Sequence, residues 1–174
     1  LHSLLKTALR AFLLAFVISY AALSQAIQPG IQAQDIDGKP RDVNAYIGQG
    51  KWTVVVFWAH DCPICNRDIQ EMTFFQDAHE DTDATVLGIS MDGFANADKA
   101  RAFIERHELN FPNLLIKQNQ AEFMKFGGGR FIGTPSFYIY SPTGELMAIN
   151  VGPLSTDIID KFIQEQTEKA RKKT

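Results

Sequence analysis

Trp52 to Trp58 (WTVVVFW) is an unbroken run of β-branched and aromatic residues, the pattern of a strand buried on both faces. Such a strand belongs inside a sheet covered on each side, so helices are expected around it. The flanking sequence agrees. A helical pattern with apolar Ile64, Ile69, Met72, Phe75 and Ala78 follows, then a second buried strand, Thr85 to Ser90. Ala95 to His107 reads as a helix with Ala100, Phe103 and Ile104 on one face. Leu114 to Ile116 is a short strand behind Pro112, and Gln120 to Phe126 a short helix stopped by Gly127-Gly128-Gly129. Phe137 to Tyr140 and Glu145 to Val151 form a hairpin about the turn Ser141-Pro142-Thr143-Gly144. Ser155 to Arg171 is the last helix. Ser155 is its expected N-cap, and Lys169, Arg171, Lys172 and Lys173 form a solvated basic end that offsets the helix dipole. Ile31 to Ile36 is more polar and reads as an edge strand, followed by turn signals at Asp37-Gly38-Lys39-Pro40 and Gly48-Gln49-Gly50. The order predicts an α/β fold, a central mixed sheet with helices on both faces.

A length of 174 residues with 45% hydrophobic content supplies the core of a single domain. Net charge is −3, from 17 basic and 20 acidic residues, so no basic excess exists to neutralise phosphates, and nucleic acid is not an expected partner. Two cysteines are too few for a disulfide-stapled scaffold or a four-cysteine zinc site.

The first residues read as an address. Residues 1–10 carry Lys6 and Arg10 and no acid, Ala11 to Leu23 is wholly apolar apart from Ser19, and Ser24-Gln25-Ala26 spaces small residues as a cleavage site does. The apolar run is shorter than the roughly 20 residues of a spanning helix. Residues 1–26 are therefore expected to be a signal peptide and residues 27–174 the folded domain. The alternative is an uncleaved anchor, with residues 4–23 as a membrane tether. Either way the cysteines reach the bacterial periplasm or cell envelope, where disulfides form and persist.

Chemistry is expected at Cys62-Pro63-Ile64-Cys65, where a buried strand gives way to a helix. A thiol at a helix N-terminus is favoured as thiolate by unpaired amides and the helix dipole, and the thiolate is the nucleophile of disulfide exchange. Pro63 suits the first turn, where a missing N–H costs nothing. Cys62, at the helix start, is the expected attacking thiol; Cys65, one turn in and more shielded, is the expected resolving thiol. The pair itself is the redox centre, and no metal or other cofactor is expected. Asn66 rather than His follows Cys65, which excludes c-type haem attachment, and the four histidines lack zinc-ligand spacing. A peroxiredoxin-type peroxidase would carry Thr where Ala59 stands.

The segment Phe57-Trp58-Ala59-His60-Asp61-Cys62-Pro63-Ile64-Cys65 resembles the active site of thioredoxin-like proteins, and within them the exported TlpA/ResA-type thiol:disulfide oxidoreductases. Asp37-Gly38-Lys39-Pro40 resembles that family's N-terminal hairpin, and Gly88 to Asp92 its second core strand and following acid. Phe111-Pro112 resembles the close of its inserted βα unit, and Gly133-Thr134-Pro135 with Phe137 to Glu145 its cis-proline loop and hairpin. The resemblance implies a thioredoxin-like fold and a cis Thr134–Pro135 bond beside the cysteines, where a client strand pairs by β-augmentation; read alone, Pro135 could as well be an ordinary trans proline. It further implies a proton acceptor at Asp68, where ResA-type members carry Glu, although a solvated acid beside Arg67 is the plainer alternative. Thioredoxin's buried Asp is replaced by Val56. Trp58 is a candidate client contact, with core packing the default for it and Phe57; Arg130 and Phe131 either shape partner choice or are plain loop residues.

Redox direction follows from what surrounds the thiols. Pro63-Ile64 supplies no cation, Asp61 disfavours the thiolate, and His60 either offsets Asp61 or is a solvated loop histidine. These features lean toward a reductant. The resemblance then implies disulfide-bearing clients of the kind found in cytochrome c maturation or copper-centre assembly, with a membrane thiol transporter as electron donor. The rival functions are a Cu(I)-binding module using the two thiolates and a redox-inactive interaction domain.

Overall fold

A computed structural model describes residues 30–172. The expected signal peptide or anchor at residues 1–26, and Lys173, lie outside them. Seven strands form one mixed sheet in the order β2-β1-β5-β4-β3-β6-β7. They are β1 (Gln32–Asp35), β2 (Pro40–Asp42), β3 (Trp52–Trp58), β4 (Ala84–Ser90), β5 (Asn113–Ile116), β6 (Ser136–Tyr140) and β7 (Leu146–Val151). The helices are α1 (Pro63–Asp68), α2 (Gln70–His79), α3 (Ala97–Arg106), α4 (Gln120–Met124) and α5 (Thr156–Arg171).

β3 is central, and all seven of its residues are buried. It runs parallel to β4, and β4 parallel to β5, whereas β6 is antiparallel to β3. Two successive right-handed crossovers stepping in one direction place α1, α2 and α3 on the same face. There Cys65, Met72, Phe75 and Phe103 join Val54, Val56 and Trp58 in one core. The β6–β7 hairpin returns α5 to that face through Ile159 and Ile163. On the other face Val55, Phe57, Leu87 and Ile89 pack with Phe123 of α4, Phe126, Val43 and Tyr140, whose hydroxyl donates to the Phe126 carbonyl at 2.6 Å. The mixed sheet is as expected, and helices do lie on both faces, four against one, with loops and a short 3-10 turn at Val43–Ala45 completing the thinner side.

Several local expectations are corrected. β1 is not the edge: the turn after it returns as β2, which is the edge strand. The single helix expected after Cys65 is broken at Ile69, and Ala78 faces solvent. Ser155 occupies the N-cap of α5 but its side chain makes no capping bond. Among the described residues no helix is long and apolar enough to cross a membrane.

Candidate active site

The end of β3 delivers the chain into a turn, Ala59 to Cys62, closed by the Cys62 N–H donating to the Ala59 carbonyl at 3.2 Å. Cys62 is the N-cap of α1 and Pro63 occupies its first turn, so the missing proline donor leaves no bond unmade. The Cys65 N–H donates to Cys62 Sγ at 3.1 Å. The two sulfurs are joined as a disulfide, with Cα atoms 5.2 Å apart. Cys62 is 7% exposed and Cys65 1%. Cys62 is thus the outer sulfur and the one capped by a backbone donor. Asn66 ties the turn to the helix: its Nδ2 donates to the carbonyls of His60 at 2.9 Å and Cys62 at 3.0 Å. His107 Nε2 lies 3.2 Å from Asn66 Oδ1. Burial, then the charge of Arg106, hold the His107 imidazole below its usual range, so the neutral ring donates from Nε2 to the amide oxygen.

A second polar group was not anticipated. In the parallel register Trp58 is paired with Ser90, so the residues two beyond each, His60 and Asp92, emerge side by side. Asp92, with its side chain 3% exposed, accepts from His60 Nδ1 at 2.5 Å, from the His60 main-chain N–H at 3.3 Å and from Ser90 Oγ at 2.8 Å. Reading His60 as a solvated loop residue is therefore corrected, because one side of its ring is bound to a buried carboxylate. The clue in the sequence was positional: an acid two residues past one core strand and a histidine two past its neighbour, which matters only once those strands are known to be parallel and adjacent. His60, Asp61 and Asp92 offer three potential metal-ligand atoms within 4.8 Å of one another. Asp92 is already committed to His60 and Ser90, so this grouping is better described as a hydrogen-bonded pair with an exposed neighbour than as a cation cage.

Trp58 lies in the core. It is fully buried, stacks on Phe103 with ring centres 4.4 Å apart, and donates from Nε1 to Asn113 Oδ1 at 3.0 Å. Core packing is what its bulk accomplishes. Phe57 is equally buried, among Phe126, Tyr138 and Phe131 on the opposite face. Asp68 is held by Arg67, with Oδ1 2.6 Å from Nε and Oδ2 accepting from a terminal guanidinium nitrogen at 2.8 Å. That bond and charge outweigh partial burial and set its carboxyl below the ordinary carboxylate range. The raised pKa expected of a proton acceptor is absent, and the geometry is that of the solvated pair. Phe131 stacks on Phe123 at 4.7 Å, so it anchors its loop, while the following Ile132 is 77% exposed. Thr134–Pro135 is a cis bond. Pro135 is buried, and its carbonyl accepts from the Gly152 N–H at 2.9 Å. Neither the amide nor the carbonyl of Thr134 has a partner among the described residues.

Residues 25–149 match the AhpC/TSA family. The chain is 23% identical over 150 residues to sporulation thiol-disulfide oxidoreductase A of Bacillus subtilis, covering 83% of this chain and 87% of that protein. It is 24% identical over 118 residues to the thiol-disulfide oxidoreductase ResA of Oceanobacillus iheyensis, covering 67% of this chain and 58% of that one. The fold is similar to that of a secreted Mycobacterium tuberculosis disulfide oxidoreductase homologous to Escherichia coli DsbE, with TM-score 0.61 and 23% identity over 77% of this chain and 94% of that one. A thiol:disulfide interchange protein of Chlorobium tepidum gives TM-score 0.64 at 22% identity, over 79% and 92%. With its CxxC disulfide at the head of a helix beside the central strand, the chain belongs to the AhpC/TSA family and is a thioredoxin-fold thiol-disulfide oxidoreductase of the TlpA/ResA type.

Proposed function

We propose that this oxidoreductase works outside the cytosol as a reductant of client-protein disulfides, with Cys62 attacking and Cys65 resolving. The observation that carries the reading is the asymmetry of the pair. Cys62 is the outer sulfur, sits at the helix cap and receives the Cys65 N–H. When the disulfide is reduced, that donor and the helix dipole favour negative charge on Cys62. Its thiolate attacks one sulfur of the client disulfide, and the other client sulfur departs with the bonding electrons. Deprotonated Cys65 then attacks Cys62 Sγ, restoring the protein's disulfide and releasing the client's second thiol. The client gains two electrons and the protein loses them.

A client strand is read as docking along Thr134, whose unpartnered amide and carbonyl could accept an added strand, with exposed Ile132 alongside. Thr134 and Pro135 are thus the binding loop, and Asp68 is left as a lesser candidate for handling the Cys65 proton. Residues 27–174 form the working domain, and residues 1–26 deliver it to the periplasm or hold it at the membrane. Relatives that are thiol-disulfide oxidoreductases favour disulfide-bearing clients; clients of cytochrome c or copper-centre assembly type, and a membrane thiol transporter that restores the dithiol, rest on the resemblance to TlpA/ResA-type proteins.

Catalysed reduction of insulin by dithiothreitol tests the reading. Activity should vanish in Cys62→Ser, and Cys65→Ser should accumulate mixed disulfides on Cys62. Full activity in Cys62→Ser overturns the assignment. The equilibrium potential against glutathione tests direction: a value near that of the strong oxidant DsbA, about −120 mV, excludes a reductant.

A further inference from the structure

Asn66, the residue after the resolving cysteine, is bonded to the Cys62 turn through both its main chain and its side chain. Its main-chain N–H closes the first helical bond onto the Cys62 carbonyl at 3.0 Å. Its Nδ2 donates to that same carbonyl at 3.0 Å and to the His60 carbonyl at 2.9 Å. Carbonyl oxygens only accept, so the end of the amide that faces the two of them is the NH2 end. Oδ1 is left for His107, whose Nε2 lies 3.2 Å from it. The His107 ring packs against Phe103, with ring centres 4.4 Å apart, and Phe103 stacks on Trp58. The backbone on either side of Asp61 is thus tied to the core through one neutral amide.

We propose that Asn66, oriented by His107, is a positioning residue that keeps Cys62 Sγ at the Cys65 N–H once the disulfide has opened. The inference rests on the attacking role of Cys62. In the oxidised protein the S–S bond itself holds Cys62 beside Cys65. Once that bond is reduced, only the main chain around Cys62 decides where its sulfur sits. The sulfur keeps its donor, the Cys65 N–H, as long as the backbone at the helix cap does not turn. Clamping the His60 and Cys62 carbonyls prevents that turning, so the hydrogen bond that stabilises the thiolate is preserved. The clamp therefore favours the reduced form over the oxidised one: it raises the potential and speeds attack. The charged and titratable groups around the turn are Asp61 on the turn itself, the bonded His60 and Asp92, the Arg67–Asp68 pair on α1, and His107, which is neutral. Exchanging Asn66 for another neutral residue alters none of these charges, so its effect on Cys62 is one of geometry.

The test is the equilibrium of the Cys62–Cys65 pair with glutathione in the full chain, together with the rate of Cys62 alkylation by iodoacetamide in a Cys65→Ser background. Neither needs a client, so both are separate from insulin reduction, which reads the parent function. The parent reading fails if the native chain does not reduce insulin, whatever these two measurements give. Asn66→Ala should shift the glutathione equilibrium toward the disulfide by about tenfold, the factor that one pKa unit represents, and slow alkylation severalfold. A merely structural role would lower the urea midpoints of both redox forms alike and leave the equilibrium where it is, because the potential is the difference between the two forms. His107→Phe keeps a ring against Phe103 but removes the donor to Asn66 Oδ1, so it should shift the equilibrium in the same direction. His107→Gln, which keeps a donor, should recover part of that shift. Should Asn66→Ala fail to fold, the contrast between His107→Phe and His107→Gln decides alone. An equilibrium that is unmoved or shifts toward the dithiol in Asn66→Ala, or equal shifts in the two His107 variants, overturns the proposal.

Discussion

Gly88 marks where the core has no room for a side chain. A Cβ there would lie 2.0 Å from Asn113 Oδ1 and 3.0 Å from the Trp58 indole nitrogen, the two atoms that bond to each other. Gly88→Ala should therefore cost about 1–3 kcal/mol through overpacking, read as a lowered midpoint in urea. His107 makes a different prediction. In the unfolded chain its imidazole takes up a proton near pH 6.5, whereas the folded ring does so only at lower pH. The unfolded state binds more protons in that window, so stability falls as pH drops below 6.5 through the folded value. In His107→Gln the fall between about pH 7 and pH 5 should be shallower. At this scale the sequence was legible where a residue's role follows from its immediate neighbours, as for Cys62, Pro63 and Cys65. It was not legible in the partners of Trp58, whose burial was expected but whose contacts with Phe103 and Asn113 lie far along the chain, or in the role of Asp92, whose partner lies across a strand pair.

Element by element, legibility tracks hydrophobic contrast. β3 and β4 were evident because every position is apolar, β-branched or small; β2 carries no pattern of its own, since Pro40, Arg41 and Asp42 are all exposed without alternation, and its hairpin was expected only through the resemblance of Asp37 to Pro40. What holds the β1–β2 hairpin is Asp35, which accepts from the Asp37 and Lys39 N–H groups and from Arg41. The Lys39 bond, helped by Arg41, keeps its carboxyl below the ordinary range near 3.8. This support is present above that pH and is lost as acid protonates the group. Asp35→Ala should speed amide exchange across β2 and at Ala33 while leaving exchange in β3 unchanged. Equal acceleration in both strands would show that the hairpin is not a separate unit.

For the whole molecule, α/β character and a mixed sheet followed from the order of patterns, but the uneven covering of the two faces did not. That depends on crossover direction, which no single segment encodes. The redox state couples to the stability of this entire fold. Closing so short a loop restricts the unfolded chain by about 2 kcal/mol in the chain-entropy picture, and thiolate stabilisation at the helix cap acts in the opposite direction. A reductant requires the first effect to prevail, so the oxidised protein should melt above the reduced one; the reverse order is the behaviour of DsbA-like oxidants.

Trp58 lies in the same packed cluster as Cys62 and Cys65, with its ring pinned by Phe103 and Asn113. Disulfides quench indole emission at short range, so the protein carries its own lamp: breaking the bond should brighten it, letting each turnover be followed by eye of the fluorimeter without a dye.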